Sequence, residues 1–381
     1  MKKTLFYGIL AILAIFALTL SSCGGSNEEP TEEEPTPTAA PTPIPTPYPT
    51  PTPIPESEII SPPTGMAINP LTRGYISQEA AARRPFAVVY NNESRALPQA
   101  GLSQADIIYE VLAEGNITRI IAIFTDFNAE MIGPVRSSRH YFNNLALDFN
   151  AVLVHHGGSP QAYSAISNLG ISNIDGMRYD GSVFWRDAAR RRERGLEHSS
   201  FTSAENLLEI AESRGFLTDN VLAEIFDFFE EPTLLTLPNL PTFSNSPNEN
   251  AALNIRVPFA GQYATVFEFD AESGMYLKYI FGNPHIDAIT EEQIAVTNVI
   301  VQITGIRHIQ GDSAGRRDVD LIGSGEGYLF SMGTFQPITW QKTSANSPTQ
   351  WFDVNGNRLT VNQGTTWINI ISGQPDFGES E

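Results

Sequence analysis

Two arginines stand three residues apart in the stretch IGPVRSSRHYF, Ile132 to Phe142, directly after a Gly-Pro pair. Proline lacks the N–H that the first helical turn leaves unpaired, so Pro134 suits the first helical position and predicts a helix opening there. Arg136 and Arg139 would then share one helix face, with the hydroxyls of Ser137 and Ser138 beside them. A planar guanidinium holds two oxygens of one phosphate, and the free N–H groups of a first helical turn also attract negative charge. The pattern suits an anion: phosphate, carboxylate or sulfate.

Three further groups extend it. Arg119 lies in an apolar run, Ile117 to Asp126, which Gly115-Asn116 joins to the strand-like Ile107 to Ala113. A two-residue turn puts Leu112 opposite Arg119 and makes Glu110 and Glu114 its diagonal neighbours, the arrangement of a structural Glu-Arg bridge. HHGGSP, His155 to Pro160, closes a buried-type strand with Gly157-Gly158 and starts a helix with Ser159 as N-cap. Ligands bind at such edges of open α/β sheets, so Gly157, Gly158 and Ser159 join Arg119, Arg136, Ser137, Ser138 and Arg139 as candidate ligand-binding residues.

Catalytic roles are harder to assign. His155 or His156 suits a general base near neutral pH, and only one of two adjacent strand residues can face a site. Glu110, Glu114 and His198 complete the candidates. His140, His155, His156 and His198 lack a ligand spacing such as H-E-x-x-H, so no metal is expected. The run Arg190-Arg191-Arg192-Glu193-Arg194 reads as a solvated helix or loop, and Gly323-Ser324-Gly325-Glu326-Gly327 as a turn between strands.

The elements that must position these residues fall into two blocks. Arg84 to Asn91 and Ala151 to His156 read as further strands, and Thr202-Ser203-Ala204-Glu205 as the capping box of a helix closing at Gly215. Mixed strand and helix signals predict an α+β or α/β domain with a mixed sheet over residues 64–240. After the Pro- and Asn-rich stretch from Glu230 to Asn250 come short aromatic and β-branched runs separated by turns. They predict a mostly antiparallel all-β domain, sandwich- or barrel-like, over 241–375, with Asn355-Gly356 as its clearest hairpin turn.

Ahead of both blocks, Lys2 and Lys3 precede an apolar run from Thr4 to Leu20, too short for a comfortable membrane span. It ends in Leu20-Ser21-Ser22-Cys23, which resembles a bacterial lipobox. Residues 1–22 are then a signal peptide, and Cys23 carries the lipid that anchors the protein outside the cytoplasm. Cys23 is the sole cysteine, which excludes an intrachain disulfide, a thiol nucleophile and a cysteine-based zinc site. Losing residues 1–22 leaves 21 basic against 43 acidic side chains, with Lys278 and Lys342 as the only lysines. So acidic an exported chain does not suit nucleic acid. Residues 23–63 are Glu-rich and then a Thr-Pro array, which favours an extended polyproline stalk.

RPFAVVYNN, GLSQADIIYEVLAEGNITR, GPVRSSRHY, HHGGSPQA and WFDVNGNRLTVNQGTTWINI resemble the YerB-type bacterial lipoprotein family over about residues 65 to 373. The resemblance implies an exported lipoprotein with a two-part head of domains of unknown function, and no established activity. Glu197-His198-Ser199 departs from the family's Pro-His-Asn, and Gly115-Asn116 from its Gly-Gly. The leading expectation is an envelope lipoprotein that binds an anionic component or acts as an accessory protein, without a cofactor. The order of TRIIAIF, GPVRSSR and GGS is also weakly similar in layout to the LytR-CpsA-Psr phosphotransferases. That alternative, an enzyme acting on polyprenyl-pyrophosphate-linked glycan, would bring Mg²⁺. A third is a module that docks an envelope protein.

Overall fold

The computed structural model describes residues 62–378 except 219–221, 238–249 and 262. The expected signal peptide, Cys23 and nearly all of the stalk lie outside the described residues.

The N-terminal half supplies β1 (Phe86–Asn91), β2 (Ile107–Glu114), β3 (Ile117–Phe124), β4 (Val152–His155) and β5 (Asn173–Asp175). Its main helices are α1 (His140–Leu147), α2 (Pro160–Leu169), α3 (Ala188–Arg194) and α4 (Ala204–Ser213). The C-terminal half contributes β6 (Asn254–Ala260), β7 (Tyr263–Asp270), β8 (Met275–Ile280) and β9 (Asn298–Ile303). It continues with β10 (Gly323–Ser331), β11 (Thr334–Lys342), β12 (Gln350–Phe352), β13 (Thr366–Ile371) and β14 (Asp376–Gly378).

Strands from both halves build one ten-stranded sheet in the order β12-β11-β10-β9-β13-β2-β3-β1-β4-β5. It is mixed. The pairs β9–β13, β13–β2, β1–β4 and β4–β5 are parallel and the rest antiparallel. A second, antiparallel sheet holds β8, β7, β6 and β14 with two short partners.

Side-chain alternation explains the layers. Phe86, Val88 and Tyr90 of β1 belong to one core, with Leu207 and Ala211 of α4 and with Ile255, Val257, Phe267 and Tyr276 of the second sheet, whereas Ala87 and Val89 belong to the core on the other face, with Tyr141, Phe142 and Leu145 of α1. The central strands are buried on both faces, which is why they read as continuous apolar runs. Each such large side chain contributes roughly 1.5–3 kcal/mol when fully buried.

Four local expectations are corrected. Pro134 does not open a helix: it follows a cis peptide after Gly133, and α1 begins only at His140. The chain between them runs extended because sheet neighbours claim its backbone. Asn91 N donates to Pro134 O, Arg136 N to Val89 O, and His156 N to Arg136 O. Arg136 and Arg139 therefore do not share a helix face; Arg139 is the residue before α1.

Secondly, Arg119 lies opposite Val111, not Leu112, because a bulge separates Leu112 from Glu114. A one-residue shift exchanges faces. Arg119 and Glu114 thus come together, and Glu110 is not Arg119's neighbour. Thirdly, the cap of α4 is Ser203, whose side chain accepts from Asn206 N, while Thr202 Oγ1 donates to Val183 O. Fourthly, Gly323 to Gly327 lies within β10. A Cβ on Gly325 would sit 2.7 Å from Trp340 Nε1, so this glycine permits close packing across the sheet.

Candidate functional site

The β2–β3 turn carries Glu114, and four arginines gather around it. Arg119 Nη2 donates to Glu114 Oε1, and Arg139 Nη2 donates to Oε2 at 2.6 Å. The same guanidiniums are steadied by backbone oxygens, with Arg119 Nη1 2.7 Å from Ser137 O and Arg139 Nη1 2.8 Å from Ser138 O. Arg136 pairs with Glu197, and Arg317 donates to Gly115 O from the hairpin that pairs Ile306–His308 with Arg317–Val319. The side chains of Arg119 and Arg139 are 2% and 6% exposed, against 20% for Glu114. The cluster meets the surface at Glu114 and at Arg136, whose side chain is 22% exposed.

Burial and the neighbouring Arg139 push the Arg119 guanidinium down to about 9, against the pull of Glu114. Burial raises the Glu114 carboxyl, but Arg119 and Arg139 outweigh it and hold the group below its usual value. The cluster is held together by one carboxylate that satisfies two buried cations. The expected structural bridge is present for Glu114.

The serines and glycines support this cluster. Ser137 Oγ donates to His156 O, and Ser138 Oγ, fully buried, donates to Asn143 Oδ1 in α1. Gly157 N donates to Asp175 Oδ1, and Gly157 O accepts from Ser138 N. Ser159 caps α2 as expected, accepting from Ala162 N at 3.1 Å, while its own N–H donates to Ser138 O. The Gly-Gly-Ser turn thus braces the arginine segment.

The histidines are engaged rather than poised. His155 Nδ1 donates to Gly157 O at 2.7 Å, and its other nitrogen faces Asn173. His156 Nε2 accepts from Arg186 Nη2 at 2.6 Å, leaving Nδ1 to donate to Ser200 Oγ at 2.7 Å. Burial, then Arg186, pushes His156 down to about 4. Gly176 is what lets this ring fit, since a Cβ there would lie 2.2 Å from Nδ1. His198 is buried against Asn91 Nδ2, 3.0 Å away, and burial lowers its pKa. Glu110, on the opposite face of β2, meets Lys278, Tyr263, Thr118 and Asn92. Those candidates are therefore not gathered at one centre.

The basic run is also less free than expected. Asp187 caps α3, and Arg190 donates to the carbonyls of Ala96 and Pro98 at 2.9 and 2.7 Å. Arg194 reaches Leu97 O, while Arg191 and Arg192 are exposed. Arg186, expected with this run as part of a solvated basic patch, instead donates to His156, and Arg317 was not foreseen. Arg317 is about 200 residues from its partner turn, and no local spacing signals that contact.

Family models match the chain over residues 71–217 and 255–368, described as the N-terminal and C-terminal domains of DUF3048, a protein of unknown function. The chain belongs to this family. A Bacillus subtilis (strain 168) protein named "Putative lipoprotein YerB" is 34% identical over 306 residues, 79% of this chain and 85% of that one. The crystal structure of the YerB protein from Bacillus subtilis matches with a TM-score of 0.70 at 31% identity. It covers 82% of this chain and 100% of its own. The two-part layout of this DUF3048 chain, a mixed sheet first and a mostly antiparallel strand-rich region second, is the layout of that relative.

Proposed function

We propose that the protein is an extracytoplasmic lipoprotein, anchored through Cys23, that binds an anionic component of the cell envelope at the arginine cluster. The lipobox-like Leu20-Ser21-Ser22-Cys23 and the lipoprotein name of the YerB relative support the anchoring. The observation that carries the binding reading is unbalanced charge. Arg119, Arg136, Arg139 and Arg317 surround a turn whose carboxylate is Glu114, and Arg136's only ion-pair partner in the described residues is Glu197, itself 60% exposed. An excess of guanidinium charge on partly buried groups favours a doubly charged oxyanion such as a phosphate head group, which bidentate forks hold well. Glu197 is placed to give way to it, because an exposed ion pair contributes little.

The test is thermal stabilisation of the full chain in detergent by pyrophosphate, by a polyprenyl phosphate and by soluble wall fragments. Arg136→Ala and Arg139→Ala should abolish the shift while circular dichroism shows an intact fold. Stabilisation that survives both substitutions rules the cluster out as the site.

A further inference from the structure

A cavity of 340 Å³ opens at the other end of the β2–β3 hairpin from the arginines. Strand residues rise about 3.3 Å each, so Asp106, just before β2, lies roughly 25 Å from Glu114. The walls are the segment from Asn69 to Ile76, the approach to β2, and the chain leaving β3. The volume lies at the lower end of the range for small-ligand sites, about 300–1,000 Å³.

The lining chemistry is distinctive. Asn69, Thr72, Gln104, Asp106, Asp126 and Asn128 present amides, carboxylates and a hydroxyl, and no cationic side chain is among the lining residues. Such a wall does not recognise an anion. It is also pre-organised. Asn69 Nδ2 donates to Asp106 Oδ1 at 2.7 Å, and Thr125 N donates to Asp106 Oδ2 at 2.7 Å. Gln104 and Asn128 hold one another through two bonds of 3.0 Å, and Ser77 N fixes Asp126 Oδ2 at 2.8 Å. Behind the wall, Arg83 lies 3.7 Å from Asp126 Oδ1, and Leu71 N donates to Asn69 Oδ1 at 2.9 Å. A carboxylate oxygen has a second lone pair and an amide nitrogen a second hydrogen, so the wall keeps hydrogen-bonding capacity. Tyr75, another wall residue, is 46% exposed, whereas Phe127 is buried at 6%.

Planar groups that accept from and donate to adjacent hydroxyls, next to an accessible aromatic ring, match the two faces of a pyranose. Its hydroxyl edge pairs with carboxylates and amides, and its C–H face lies on the ring. A solvent-exposed Tyr is an economical platform, since it presents apolar area at little entropic cost. We propose that this cavity binds a neutral saccharide unit, with Asp106, Asp126, Gln104 and Asn128 reading hydroxyls and Tyr75 stacking on the ring. Burial pushes the Asp106 carboxyl up to about 6, which lets it serve as a donor as well as an acceptor in mildly acidic surroundings. The proposal is independent of the arginine cluster and stands if that site binds nothing.

The experiment is saturation-transfer NMR and calorimetry on the full chain in detergent. The probes are an N-acetylglucosamine tetramer, cellotetraose and maltotetraose, each up to about 10 mM, with CaCl₂ and MgCl₂ in parallel. At least one saccharide should bind with a Kd in the micromolar to millimolar range. Tyr75→Ala and Asn128→Ala, both on exposed positions, should weaken it about tenfold or more without altering the melting temperature, and Arg136→Ala should leave it unchanged. No binding of any probe overturns the proposal. Saccharide binding indifferent to both substitutions, or binding of the divalent cations alone, overturns it as well.

Discussion

The ammonium of Lys278 lies 3.3 Å from Glu110 Oε2, and neither side chain is exposed at all. The pair joins the two sheets, with Glu110 on β2 and Lys278 on β8. Tyr263, Thr118 and Asn92 supply hydrogen bonds to or around the other carboxylate oxygen, and the ammonium sits 4.5 Å from the ring centre of Trp367. Burial lowers the pKa of Lys278, against the pull of Glu110. Removing one partner leaves a buried charge, so Glu110→Leu or Lys278→Met should each cost about 3–5 kcal/mol in urea unfolding. The double variant, which buries no charge, should recover most of that loss. A double variant no more stable than the singles would refute the pairing as their shared cause.

Lys342 repeats the arrangement with Asp148, at 0% and 1% side-chain exposure. The two lysines that follow Cys23 are thus both enclosed in ion pairs. An amine-reactive ester should label neither Lys278 nor Lys342 in the native chain and both after unfolding in urea. Peptide mass mapping reads this directly, and rapid native labelling of either residue would contradict its burial.

Glu114 pairs with two buried guanidiniums and would compete with the proposed anion for them. Glu114→Gln should therefore act in opposite directions on stability and affinity. Unfolding free energy should fall by up to roughly 3 kcal/mol, the low end for a buried pair because Glu114 is partly exposed. Pyrophosphate should bind more tightly to the variant and restore much of the lost melting temperature. A stability loss that no anion repairs would count against the cluster as a binding site.

His156 gives the pH dependence a sign. Its folded-state pKa, about 4, lies below the ordinary 6.5, so between those values the unfolded chain binds the proton and the native one does not. The contribution is present above pH 6.5 and is lost as pH falls through 4. Imidazole NMR signals of His156 should stay in the neutral form at pH 5. His156→Gln should flatten the decline in stability between pH 6.5 and 4 relative to the native chain. An imidazole that titrates near 6.5 in the native chain would remove the predicted effect.

Local patterns reached the elements better than the site. The apolar runs of β1 to β4 and the Ser159 cap were legible because each depends on neighbours within a few residues. The register of Arg119 was not, since the bulge before Glu114 leaves no mark in the alternation itself. Gly133-Pro134 misled for a related reason: the same dipeptide serves a helix start or a cis turn, and only the sheet bonds taken by Arg136 and Val135 decide between them. Arg317 and Lys278 join the site and the inter-sheet pair from the far half of the chain. For Lys278 the one sequence signal was the scarcity of lysine.

The long-range pairing also bears on how independent the two halves are. Family models separate residues 71–217 from 255–368, and the composition change near Glu230 suggests the same cut. Yet β13, at the C-terminal end, lies between β9 and β2 and pairs in parallel with both. A chain ending at residue 240 would leave the edge of β2 that pairs with β13, Ile107 to Val111, without its partner, and would uncover Ile108 and Leu112, which share a core with Val257, Phe267 and Trp367. An apolar edge without its partner pairs with other chains. We expect a 64–240 fragment made alone to aggregate or to lack a cooperative melt, and co-expression with 241–375 to restore one compact species. A soluble, monomeric 64–240 fragment that melts cooperatively would establish two independently folding domains and overturn this expectation.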